Sequence, residues 1–193
     1  TSVIGAMVTN NLVSWDDRVA DYDPNFELSD PWITENITIR DFLTHRSGLP
    51  EHNGDILEDL GYDRDEVLYR LRAIKPLYPF RIKYSYTNFG FTQAAEAVSW
   101  KYGANWEDIA NEFIFKPLRM SSTSFLHEDY VQSPHRAWLH VVEDGKYVTK
   151  YDRNPDAQSP AGGVSSSVRD MSHWMQMLLN QGRFEGNKII DPT

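Results

Sequence analysis

The chain has 193 residues, 40% of them hydrophobic and 13% aromatic, which is enough apolar material for one packed unit with a sizeable core and too much for a disordered tail. Its formal charge of −9 is concentrated early, with fifteen carboxylates against four arginines between Asp16 and Glu66, and this argues against a phosphate-tracking surface and so against nucleic acid as a partner. Cysteine is absent, which excludes disulfide and thiolate chemistry but leaves the compartment open, and no apolar run approaches the roughly 18 residues of a membrane span.

The sequence opens on Thr1-Ser2-Val3-Ile4, without Met or a basic leader, so any targeting peptide is expected to have been removed or to lie outside these residues. Val3, Ile4, Met7 and Val8 stand at helical spacing from the first residue, the pattern of a helix entered part-way. Thr38 with Asp41 three positions on reads as a capping box for a short helix that stops at Gly48-Leu49-Pro50. Asp63 with Glu66 opens a helix whose Val67, Leu68, Leu71 and Ile74 share one face, before Pro76 and Pro79. Asn88 is placed to cap a further helix, with Phe91, Ala94, Ala95, Val98 and Tyr102 as its apolar stripe and Gly103 as its stop. Asn105 with Asp108 starts another that carries Trp106, Ile109, Ala110 and Phe113 up to Pro117. Between Ala137 and Tyr151, β-branched and aromatic residues flank Asp144-Gly145, a hairpin signal. A last helix begins at Ser167 with Asp170, is expected to bury Met171, Trp174, Met175 and Leu178, and ends near Gly182.

Tyr84-Ser85-Tyr86-Thr87-Asn88, a polar turn just ahead of a helix, is the candidate to carry chemistry. Its Tyr-x-Asn triplet, Tyr86 to Asn88, is weak by itself, because so short a motif recurs by chance. Four other segments, in the same order as in a known family, add to it. Asn11 to Asp17 resembles the stretch after a nucleophile helix, and Ile37 to Pro50, reading ITIRDFLTHRSGLP, is similar to a "LLTHTSGLP" signature. Phe115-Lys116-Pro117-Leu118-Arg119-Met120 with Thr123-Ser124-Phe125 looks like "PLGM…TSF", and Pro160 to Val164 with Ser167 to Trp174 looks like a glycine turn and its following helix. Together these segments resemble the serine β-lactamase and DD-peptidase superfamily, specifically class C β-lactamases with their esterase and D-aminopeptidase relatives.

That resemblance implies a predominantly α chain: the helical region of an α+β parent with the β-lactamase/transpeptidase-like fold, carrying a small hairpin and lacking most of the central antiparallel sheet. Residues 1–193 are then expected to form a single unit, an internal fragment of one such domain. The implied parent is a periplasmic or extracellular enzyme that needs no cofactor and takes a small-molecule substrate. Its site has three parts: Ser-x-x-Lys at a helix start, the tyrosine element, and Lys-Thr-Gly or His-x-Gly on a strand. Only the tyrosine element occurs here in the right place, since no lysine has a serine three positions before it and no Lys-Thr-Gly occurs. His52-Asn53-Gly54 matches the third pattern literally but comes too early in the chain, and reads as a loop.

Within the tyrosine element two registers stay open. The family commonly reads Tyr-Ser-Asn-Thr-Asn-Tyr-Gly, which aligns Tyr84 with the catalytic tyrosine and puts Tyr86 where Asn is usual; the other register takes Tyr86 and Asn88 as the pair. The candidate site residues are therefore Tyr84, Tyr86 and Asn88, and without the missing motifs the fragment is expected to be inactive. His45 and Ser47 at a helix end read as a structural turn before Gly48 rather than a hydrolytic pair. The six histidines have no ligand spacing, so no metal site is expected. A non-catalytic helical binding module is the competing function, a glycosidase ranks below it, and self-association through apolar helix faces left uncovered is a further expectation.

Overall fold

A computed structural model describes residues 1–192. Helix α1 (Ser2–Thr9) buries Val3, Ile4 and Met7, and the amide of Asn10 ends it by donating to the Ala6 carbonyl (2.8 Å). Helix α2 (Pro31–Asn36) starts where the Asp30 carboxylate accepts from the backbone N–H groups of Trp32 and Ile33, with Pro31 at the first helical position. Apolar periodicity misses this six-residue helix because it buries only Ile33. Helix α3 (Ile39–Leu43) carries the expected capping box: Thr38 Oγ1 accepts from Asp41 N–H (3.2 Å), and Asp41 Oδ2 accepts from Thr38 N–H (2.9 Å).

Helix α4 (Asp55–Asp59) follows Gly54, at φ +95°, where a Cβ would lie 2.8 Å from the Phe89 ring, so both backbone and space demand glycine. Helix α5 (Arg64–Leu71) is capped by Asp63 and buries Val67 and Leu71; Ile74 falls in the turn beyond it and still packs on the core. Helix α6 (Asn88–Tyr102) buries Phe89, Ala94, Ala95, Ala97 and Val98 and ends at Gly103, φ +80°. Its cap is not Asn88. Thr87 Oγ1 accepts from Gly90 N–H (2.8 Å), which puts Asn88 at the first helical position and frees its amide for other partners.

Helix α7 (Trp106–Ala110) starts at Asn105 as expected but widens into a π turn over Asn111–Phe115 before Pro117. After α8 (His127–Gln132), strands β1 (Val141–Glu143) and β2 (Lys146–Val148) pair antiparallel about Asp144 (φ +48°) and Gly145 (φ +74°), the left-handed pair of a two-residue hairpin turn. Helix α9 (Ser159–Gly162) precedes α10 (Val168–Leu179), and a second hairpin unforeseen in the sequence, β3 (Arg183–Phe184) with β4 (Asn187–Lys188), closes the described chain.

The face that α10 buries differs in part from the expected one. Met177 is fully buried, whereas Met175 (52%) and Leu178 (46%) are exposed. The cause is Asp170, whose carboxylate is drawn inward to the Ser122 N–H (2.7 Å) and the Thr123 hydroxyl (2.8 Å). The inner face therefore runs Asp170, Trp174, Met177 at helical spacing, with Met171 and Trp174 partly buried against the core as expected, while Met175 and Leu178 turn outward.

The buried apolar side chains form one cluster, in which α6 packs against α3, α5, α7 and α9. An ionic cluster ties these helices together: Arg64 of α5 meets Glu96 of α6 (3.4 Å) and Glu107 of α7 (2.7 Å), and also donates to Ser159 Oγ of α9 (2.8 Å). Burial pushes the Glu96 carboxyl above its ordinary pKa despite Arg64. For Glu107 burial acts in the same direction but is outweighed by Arg64 and by the Ser159 hydroxyl (2.6 Å), so that carboxyl lies below its ordinary value.

Candidate active site

The tyrosine turn is built between two segments distant in sequence. Ser85 N–H donates to the His45 carbonyl (2.8 Å), Thr87 N–H to His45 Nδ1 (3.2 Å), and His52 N–H to the Tyr86 carbonyl (2.9 Å). The buried Ser85 hydroxyl donates to the Leu49 carbonyl (2.6 Å). The stretch from Thr44 to His52, which follows α3, thus clamps residues 85 to 87 through their backbone and leaves alternate side chains, Tyr84 and Tyr86, on the other side of the strand-like run. Gly48 belongs to this clamp: at φ +86° a Cβ would stand 2.6 Å from the Tyr78 carbonyl. The approach to Tyr84 is fixed as well, since Arg81 N–H donates to the Arg46 carbonyl (3.0 Å) and its guanidinium forks onto Asp41 (2.9 and 2.8 Å). Burial alone would raise the Asp41 pKa, but Arg81 and the Thr38 donors outweigh it and the carboxyl lies below its ordinary value.

His45 is the hub. Its ring stacks on Phe91 (5.2 Å between centroids), lies 4.6 Å from Tyr86 and meets Tyr84 edge-on at 5.4 Å. It sits at φ +57°, a left-handed conformation uncommon outside glycine, in which histidine is one of the better tolerated residues. Burial lowers its pKa, and because Nδ1 accepts from Thr87 the ring is neutral with its proton on Nε2.

Tyr84 is 59% exposed and is positioned through its ring rather than its hydroxyl. Tyr86 is half-buried, and its hydroxyl donates to Asn88 Oδ1 (2.8 Å). Asn88 Nδ2 donates in turn to Asp55 Oδ2 (3.0 Å), the oxygen that also meets His52 Nδ1 (3.0 Å). The structure therefore brings Tyr86 and Asn88 into direct contact and holds Tyr84 beside them through His45.

Ser47, by contrast, is buried with its Oγ accepting from Leu49 N–H (3.3 Å), a turn contact rather than a nucleophile's. His52-Asn53-Gly54 forms the loop ahead of α4, so its place next to the tyrosines is architectural. Asp55 escaped sequence reasoning altogether, being one carboxylate within an acidic stretch. The available signal was the Thr44 to Pro50 match itself, which proves to be the backbone clamp of the tyrosine turn. Two cavities, of about 790 Å³ and about 430 Å³, open elsewhere, beside Asp63, Asp65 and Glu96, and neither is lined by Tyr84, Tyr86 or Asn88.

The helical scaffold and the tyrosine turn held by Thr44-His45-Arg46-Ser47-Gly48-Leu49-Pro50 agree with the serine β-lactamase and DD-peptidase superfamily that the sequence resembles. The chain belongs to the Beta-lactamase family, whose model matches residues 1–192. Among its relatives, unguisins hydrolase ungD' of Aspergillus campestris is 31% identical over 81% of this chain and 30% of that protein. Beta-lactamase-like protein 2 of Dictyostelium discoideum is 28% identical over 94% of this chain and 33% of that protein. The chain thus spans about a third of the length of these curated relatives. Among solved structures, the octameric penicillin-binding protein homologue from Pyrococcus abyssi superposes with a TM-score of 0.78 at 21% identity, covering 99% of this chain and 44% of that one. At that identity the likeness concerns the fold.

Proposed function

We propose that these residues carry the tyrosine element of a class C-like serine hydrolase that cleaves β-lactams, D-amino-acid peptides or small esters through an acyl-enzyme. In this reading a serine in the full-length protein attacks the carbonyl, Tyr84 assists proton transfer, and water later releases the acyl group. The observation that carries it is the attitude of Tyr84: the ring is held by His45 while most of the side chain stays exposed, which suits a hydroxyl that must meet a reacting group. A phenol with an ordinary pKa of about 10 is a poor base at neutral pH, so the role needs an ammonium group nearby, and the motif lysine that supplies one in the family does not occur in these residues. The 193-residue chain alone is therefore inactive.

Intact-mass spectrometry after mixing with a nitrophenyl ester or a penicillin tests this. The full-length protein gains one acyl group, and the isolated chain gains none. No adduct on the full-length protein, or an adduct on the isolated chain, contradicts the proposal. A non-catalytic binding module is the second reading, favoured by the exposed aromatic side chains around the β1–β2 hairpin, Trp138, Tyr147 and Tyr151. A parent protein without Ser-x-x-Lys ahead of this segment would leave that reading standing.

A further inference from the structure

Asp55 fixes which way the Asn88 amide faces, and through it what Tyr86 can offer a ligand. A carboxylate has no proton to give, so the Asn88 atom 3.0 Å from Asp55 Oδ2 is the NH₂ group, and the atom 2.8 Å from the Tyr86 hydroxyl is the carbonyl oxygen. That oxygen can only accept, so the single hydroxyl proton of Tyr86 is spent on Asn88. The phenolic oxygen then has only lone pairs left for a third partner. His52 holds the arrangement from both sides, its Nδ1 donating to the same Asp55 oxygen and its backbone N–H to the Tyr86 carbonyl, with the two rings 5.3 Å apart.

We infer that Tyr86 presents a hydrogen-bond acceptor to the substrate, and that Asp55, supported by His52, is the positioning residue that makes it so. Where the family pattern has an Asn, whose amide can both donate and accept, Tyr86 here offers an acceptor alone. The group preferred beside Tyr86 is a donor, either the ammonium of an amino-acid amide or an N–H, and a ligand that brings only a carbonyl there meets lone pairs on both sides. This rests on reading the tyrosine turn as part of the substrate site, but not on any chemical step.

Calorimetric binding of a matched pair to the full-length protein tests it: D-phenylalanine amide and 3-phenylpropanamide differ only in the ammonium group. The ammonium compound is expected to bind at least about tenfold more tightly, the scale of a charge-assisted hydrogen bond. Because the net charge of −9 on these residues attracts any cation, the preference counts only so far as Tyr86→Phe removes it, and the variant's ratio should fall to within about twofold. Asp55→Asn, which lets the Asn88 amide turn over, should cut the ratio at least about threefold while leaving the melting profile of α6 in place. Equal binding of the two amides, binding of neither, or a ratio that survives Tyr86→Phe overturns the inference. Loss of ester acylation with the preference intact would count against the hydrolase reading alone, and acylation without the preference against this one alone.

Discussion

The backbone N–H of Thr87 donates to Nδ1 of His45 across 3.2 Å, although 42 residues separate them in the chain. One imidazole acceptor thereby couples the N-cap of the longest helix to the turn that ends α3, and it does so only while the ring is neutral.

Stability should therefore depend on pH through His45. Its folded-state pKa is lowered by burial, so the unfolded chain takes up the proton first, near the ordinary value of about 6.5. Stability is greatest above that value, declines as pH falls through it, and levels off below the folded-state pKa. Urea midpoints at pH 7.5 and 5.5 measure the loss. His45→Asn keeps a side chain that tolerates positive φ and an oxygen that can accept from Thr87, and it should flatten this part of the profile. A decline of equal size in the variant would assign it to other groups.

Asp41 and Arg81 supply a second pH dependence of opposite origin. The Asp41 carboxyl is held below its ordinary value, so its contribution is present above the unfolded carboxylate range of about 4 and fades as pH falls through the folded value. Arg81→Met removes the fork and should cost about 1–3 kcal/mol, the scale of hydrogen bonds to a charged group, with a lowered urea midpoint at pH 7. As Arg81 lies three residues ahead of Tyr84, faster amide exchange at residues 84 to 87 should accompany the loss. Unchanged exchange there would separate Arg81 from the tyrosine turn.

The Arg64 cluster is the most buried ion pairing of the helical core, and breaking it from one side leaves buried carboxylates without a cationic partner. Arg64→Met should destabilise by about 3 kcal/mol, whereas adding Glu107→Gln to it should recover part of that cost. Additive effects in this double-mutant cycle would mean that the pair is not coupled.

Much of the helical frame is legible in the sequence because its signals are local. The Thr38–Asp41 box, the Asp63, Asn105 and Ser167 caps and the Asp144-Gly145 turn each depend on bonds within about three residues. What could not be read is set at long range. The inner face of α10 follows from Asp170 meeting Ser122 and Thr123, so periodicity alone chose Met175 and Leu178 over Met177. The same holds at the candidate site: Tyr84, Tyr86 and Asn88 stand out as residue types, but their links to His45 and Asp55 span 33 to 41 positions. Once Thr87 takes the cap, Asn88 is free for a partner that no local pattern names.

Apolar side chains on the outer face of α10, among them Val168, Leu178 and Leu179, are exposed in this chain, and the isolated 193 residues should self-associate through them. Sedimentation velocity over a concentration series reads this out. A single monomeric boundary at every concentration would contradict it, and Leu179→Lys should weaken any association seen.

Tyr84 is proposed as the proton-transfer residue, with Tyr86 beside it as a substrate contact. The most direct test of that role compares Tyr84→Phe and Tyr86→Phe in the full-length protein, as rates of hydrolysis of a chromogenic cephalosporin or a short-chain nitrophenyl ester. Tyr84→Phe should slow turnover by at least about tenfold, with Tyr86→Phe acting mainly on substrate affinity. Unimpaired turnover in Tyr84→Phe, or a larger fall in Tyr86→Phe, would contradict the assignment and move the catalytic role to the Tyr86–Asn88 pair.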